Sequence, residues 1–153
     1  MVSTRQLGTA VADHVRDVLS GQYQTVFRRQ RLRLQPGGYH EFDAVSENGR
    51  IVASVKTATA PARHPASNVA NCLAELYFLS MAPARRKILV LTSPEFHVVF
   101  RTALAGKLPG NVEIMHIPLP QDVAERVAAV QRAGTDETQP VLDGDELRAV
   151  GGH

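Results

Sequence analysis

The chain has one cysteine and no tryptophan among its 153 residues. A single thiol, Cys72, excludes an internal disulfide framework and a cysteine-rich zinc site, and it suits a reducing cytoplasm. Five Phe and three Tyr supply a base-stacking platform for single strands poorly. No apolar run approaches the ~18 residues that span a bilayer. The opening MVSTRQLGTAVAD lacks a charged start followed by a continuous apolar stretch, so no secretory leader is expected. There is no GxxxxGK[ST] loop and no GxGxxG, which leaves nucleotide-cofactor chemistry without support. The histidines show no HxxxH spacing.

What is present is ordinary for a folded domain: 44% hydrophobic and 21% charged residues. The length predicts one domain that buries about 70% of its unfolded surface. The net charge of +2 hides a division, because residues 1–110 sum to +7 and residues 111–153 to −5. Such asymmetry hints at a body facing nucleic acid and an acidic end.

Leu7, Val11, Val15 and Val18 recur at helical spacing from Ser3 to Leu19, with Ser3 or Thr4 as cap and Ser20-Gly21 as stop. From Tyr23 to Leu34 the period falls to two, with Phe27, Arg29, Arg31 and Arg33 on one face. After the Pro36-Gly37-Gly38 turn, Tyr39–Val45 and Arg50–Thr57 read as strands joined at Glu47-Asn48-Gly49-Arg50. Asn-Gly predicts a two-residue type I′ turn with positive φ at both positions. A small-residue and proline loop, Ala58–Ala66, precedes an apolar helix capped by Ser67. Lys87–Leu91 is a strand buried on both faces. Pro94 opens the next helix, Val112–Ile117 is a last strand, and Gln121–Ala133 is a final helix ended by Gly134. Residues 1–134 thus form a single domain with order α-β-β-β-α-β-α-β-α, an α/β mixed sheet flanked by helices. Thr135–His153 is expected to be a loose acidic tail.

The hairpin predicts a register in which paired residue numbers sum to 97. Asp43 then faces Ser54 and Glu41 faces Lys56, all on one face with Val45 and Val52. His40, Phe42, Ala44, Ala53 and Val55 take the other. Two carboxylates, a hydroxyl and an ammonium would converge on one patch, which suits Mg²⁺ (or Mn²⁺) and a phosphate ester, since Mg²⁺ takes one or two carboxylates and fills its other positions with water and phosphate oxygens. The plainer reading is a solvent-facing strand pair with a Glu41–Lys56 ion pair worth at most ~1 kcal/mol. The next helix adds to the first reading. Between Ser67 and Ala82, Glu75 is the single charged residue, in a stripe with Asn68 and Asn71. It is either a plain solubility residue or a further ligand reaching toward the hairpin.

Asp43 before the hairpin and Ser54-Val55-Lys56 after it, in this element order, resemble the PD-(D/E)xK nuclease superfamily over residues 3–117. The resemblance implies a restriction-endonuclease-like fold and Mg²⁺-dependent hydrolysis of DNA. It implies that Asp43 binds metal and that Lys56 assists the attacking water. The triplet departs from the pattern, with Ser54 where Asp or Glu is expected. Some members carry the missing carboxylate on the following helix, for which Glu75 is the first candidate here and Glu41 the second, with Ser54 supporting. Without either, the expectation is a catalytically inactive member that binds nucleic acid or a protein partner. Many such nucleases work as homodimers.

Among other candidates, Arg29, Arg31 and Arg33 would contact phosphates or simply protect an edge strand by charge. Arg63, with His64, lies in the loop beside the proposed site and would either clamp a phosphate of the nucleic acid or belong to an ordinary solvated loop. Arg85-Arg86-Lys87 marks the solvent end of a buried strand, His14 reads as a structural histidine, and Cys72 as a small core residue.

Overall fold

A computed structural model describes residues 3–59 and 65–137. The first helix, α1 (Thr4–Tyr23), opens with a reciprocal capping box: Gln6 N donates to Ser3 Oγ at 3.1 Å and Ser3 N to Gln6 Oε1 at 3.0 Å. It buries Leu7, Val11, Val15 and Leu19, runs through Ser20-Gly21 and ends at Gln24, whose φ is 54°. Packing of Leu19 outweighs the ~1 kcal/mol that glycine costs a helix.

Strands β1 (Phe27–Arg33), β2 (Tyr39–Ser46) and β3 (Ile51–Lys56) follow as an antiparallel meander. The chain then alternates α2 (Pro65–Ser80), β4 (Arg86–Leu91), α3 (Pro94–Ala103), β5 (Val112–His116) and α4 (Gln121–Glu137). β4 and β5 add parallel to β3, so one mixed sheet has the order β1-β2-β3-β4-β5, with β1 and β5 at its edges. Short loops of five and four residues join the antiparallel strands, whereas parallel neighbours need helical crossovers.

The sheet is the middle of three layers. On one face Val15 and Leu19 of α1 pack on Phe27, Ala44, Ala53, Ile88 and Val90, and Val127 of α4 joins Leu7 and Val11. On the other, Cys72, Leu76 and Leu79 of α2 and Phe96 and Phe100 of α3 cover Phe42, Val45, Val52, Leu89 and Leu91. Ser93 caps α3 by accepting from Phe96 N at 3.2 Å, with Pro94 in the first turn. Among the described residues, no helix is long and apolar enough to cross a membrane.

Several boundaries depart from the pattern reading. Asn48 does not take positive φ; Gly49 does, at 73°, and its N–H bonds Ser46 O at 2.8 Å. Asn48 Oδ1 instead accepts from Ser46 Oγ and Arg50 N, both at 2.9 Å, an Asx-type closure that keeps Asn48 out of the left-handed region. α2 begins at Pro65 and α4 continues past Gly134 to Glu137; the acidic segment beyond Glu137 lies outside the described residues. Arg85 and Arg86 are exposed at the start of β4 as expected, but Lys87 is 4% exposed and its ammonium donates to Ser80 O at 2.9 Å, at the carbonyl end of α2.

Candidate active site

The register of 97 holds where it was built: Ala44 pairs with Ala53 and Val45 with Val52. There the β2–β3 ladder stops. Against β1, Arg28 pairs with Val45 and Gln30 with Phe42, so one residue of β1 faces two of β2, Asp43 and Ala44. This is a β-bulge, the device that ends pairing and re-aims a side chain. It shifts the alternation of β2 by one residue. Phe42 and Val45 face α2 while Ala44 faces α1.

Beyond the bulge the two strands exchange a side-chain bond in place of a ladder bond. Asp43 Oδ2 accepts from Val55 N at 2.7 Å. From the opposite side Arg16 of α1 donates through Nη1 to the Asp43 carbonyl at 2.8 Å, and its Nη2 holds Asp13 Oδ1 at 2.6 Å. The bulge is therefore bonded from both sides.

Glu75 arrives from α2. Its Oε2 accepts from Ser54 Oγ at 2.7 Å and pairs with His40 Nε2 at 2.9 Å. Lys56 Nζ stands 3.9 Å from Oε1. The Glu75 side chain is 13% exposed and that of Lys56 34%, so the ammonium reaches the surface while the carboxylate lies beneath it. His40 is held by rings, stacked on Phe78 at 4.1 Å and edge-on to Phe42 at 4.8 Å. α4 secures the exit of β3, where Gln131 Nε2 donates to Thr57 O at 2.5 Å and Thr59 Oγ1 donates to Gln131 Oε1 at 3.1 Å.

Electrostatics follow from this placement. Burial raises the Asp43 carboxyl above its ordinary pKa; the Val55 N–H opposes the rise, the Glu75 charge adds to it, and Lys56 and Arg16 lower it. Cys72, one helical turn before Glu75, has its thiol pushed up to about 11, first by burial, which makes it an inert core residue and no nucleophile.

Ser54 and Lys56 are thus brought to Glu75, Asp43 lies within electrostatic reach of Glu75 and Lys56, and Glu41 is not among them. The bulge turns Glu41 to the α1 face, where its carboxylate pairs with Arg29, and brings His40 to the α2 face in its stead. The expected Glu41–Lys56 pair does not form because the ladder ends at Ala44–Ala53. Arg29, Arg31 and Arg33 share the α1 face of edge strand β1, across the sheet from Lys56. Arg63 and His64 lie outside the described residues. His14 bonds Pro118 O at 2.9 Å, tying α1 to the chain after β5.

Among the described residues, no group of three or more His, Cys, Asp and Glu side chains is set to hold a metal ion. Asp43 and Glu75 form a smaller donor set of two hard carboxylates, and the Glu75 charge adds to the cost of ionising the buried Asp43. That suits a cation that keeps water and phosphate oxygens in its remaining positions. Two roles escaped the reading of the residues, those of His40 and Arg16. His40 and Asp43 are three apart, which in an unbroken strand puts them on opposite faces. Comparison with known proteins finds no matching family model, no matching curated protein and no matching solved structure.

Proposed function

We propose that the chain is a divalent-metal-dependent nuclease of the PD-(D/E)xK type that hydrolyses phosphodiester bonds in DNA, with its second carboxylate carried by α2. The observation that supports this reading is the contact of Lys56 with Glu75, with the Asp43 carboxyl within electrostatic reach of both where β2 and β3 part. Asp43 and Glu75 would hold Mg²⁺ or Mn²⁺, which when bound polarises a phosphoryl oxygen and acidifies a water. Lys56 orients the attacking water and offsets the charge that develops on the phosphoryl oxygens. Water oxygen bonds to phosphorus and releases a proton to solvent, the ester P–O bond breaks, and the leaving oxygen takes a proton from solvent. Ser54 and His40 touch Glu75 and position it. Serine in the usual carboxylate position, together with α2's glutamate bonded to it, is the arrangement a migrated ligand requires.

The same Ser54 favours a second reading, a nuclease-fold protein without activity that retains nucleic-acid binding. Incubation with supercoiled plasmid and branched DNA in Mg²⁺ or Mn²⁺ separates the two. The nuclease reading expects cleavage that Lys56→Ala and Asp43→Ala each slow by about 10²-fold or more, the scale of losing one charge-stabilising donor. Cleavage untouched by both substitutions would overturn it. No cleavage with salt-sensitive binding would establish the second reading.

A further inference from the structure

The arginines of β1 form a row that the site does not use. Arg29, Arg31 and Arg33 occupy alternate positions of an edge strand, so a rise of about 3.3 Å per residue spaces them about 7 Å apart. That interval is on the order of the spacing between consecutive phosphates of a nucleic-acid strand. Phe27, two residues before the row, is buried under α1 with Val15 and Leu19; beyond it the face is open, and Arg29, Arg31 and Arg33 are all exposed. The guanidinium of Arg31 lies over the Tyr39 ring, 4.6 Å from its centroid, which holds it in place without neutralising it. Arg29 pairs with Glu41, with side-chain exposures of 68% and 49%. An exposed pair of this kind is weak enough for a phosphate to replace.

We infer that the Arg29–Arg31–Arg33 face of β1 binds the sugar-phosphate backbone of a nucleic-acid segment distinct from the one presented to Lys56, since the two lie on opposite faces of the sheet. The partner follows from charge complementarity and spacing and does not depend on hydrolysis. Contacts of this type are read without sequence and weaken steeply with salt. Glu41 is the counterweight on the row: it competes with the polyanion for Arg29.

The test is fluorescence anisotropy of the full chain with a labelled 20-base-pair duplex in EDTA, titrated from 20 to 200 mM salt. Each phosphate contact contributes about 0.9 to the slope of log affinity against log salt. The triple variant R29Q/R31Q/R33Q should flatten the slope by about 2–3 and weaken binding about 10-fold or more at low salt. Glu41→Gln should tighten binding about 2–5-fold by freeing Arg29. Lys56→Ala should change the slope by no more than about 1, and its effect should add to that of the triple variant. A triple variant with wild-type slope and affinity would overturn the inference, as would wild-type protein that fails to bind at 20 mM salt, which would make the row edge protection alone. Circular dichroism confirms that the variants fold. Failure of the nuclease reading leaves this result intact, since no metal is present.

Discussion

Asp43 holds two positions at once: its carbonyl takes Arg16 and its carboxylate takes the Val55 amide. A carboxylate kept there beside Glu75 is costly, and its pKa is raised chiefly by burial. The sign follows directly. Because the folded pKa lies above the unfolded one, the ionised form weakens the fold at neutral pH, and that cost disappears as pH falls through the folded value toward the ordinary 3.8. Asparagine keeps an oxygen for the Val55 N–H and carries no charge. Without divalent ions, Asp43→Asn should therefore melt about 2–5 °C above wild type at pH 7, with the gap closing toward pH 4; a variant that melts lower at pH 7 contradicts the account. Such a trade of stability for a charged site is common where function requires it.

The bulge at Asp43–Ala44 decides which element faces which. Period-two reading located the strands, the hairpin register at Ala44–Ala53 and Val45–Val52, and the shared face of Ser54 and Lys56, both of which reach Glu75. Glu75 was legible too, as the one charge in a helix of otherwise uncharged residues. The exchange of Glu41 for His40 was not legible, because an alternation pattern assumes an unbroken strand and nothing in His40-Glu41-Phe42-Asp43 marks the extra residue. The bulge is stabilised by partners distant in sequence, Arg16 and Val55.

A second pair of elements brings histidines together. His97 of α3 and His116 of β5 stack at 5.3 Å, and neither Nε2 has a hydrogen-bond partner. Burial lowers the His97 pKa first, then the charges of His116 and Arg101. A folded pKa below the ordinary 6.5 means that stability is full above that value and is lost as pH falls through the folded one. Thermal melts should show a drop between pH 7 and pH 5 that shrinks in His97→Gln; an equal drop in both proteins would remove this pair as the cause.

Across the whole molecule, the sheet separates two chemistries. One face carries Glu75 of α2 with Ser54 and Lys56; the other carries the arginine row beyond α1. The account's central claim is that Glu75 supplies the carboxylate Ser54 lacks. Its most direct test is the rate of Mn²⁺-dependent plasmid nicking by Glu75→Ala, set beside wild type and the double variant S54E/E75A, which returns a carboxylate to the triplet. The account predicts that Glu75→Ala loses about 10²-fold or more in rate and that the double variant recovers part of it. Wild-type rates from Glu75→Ala would contradict it.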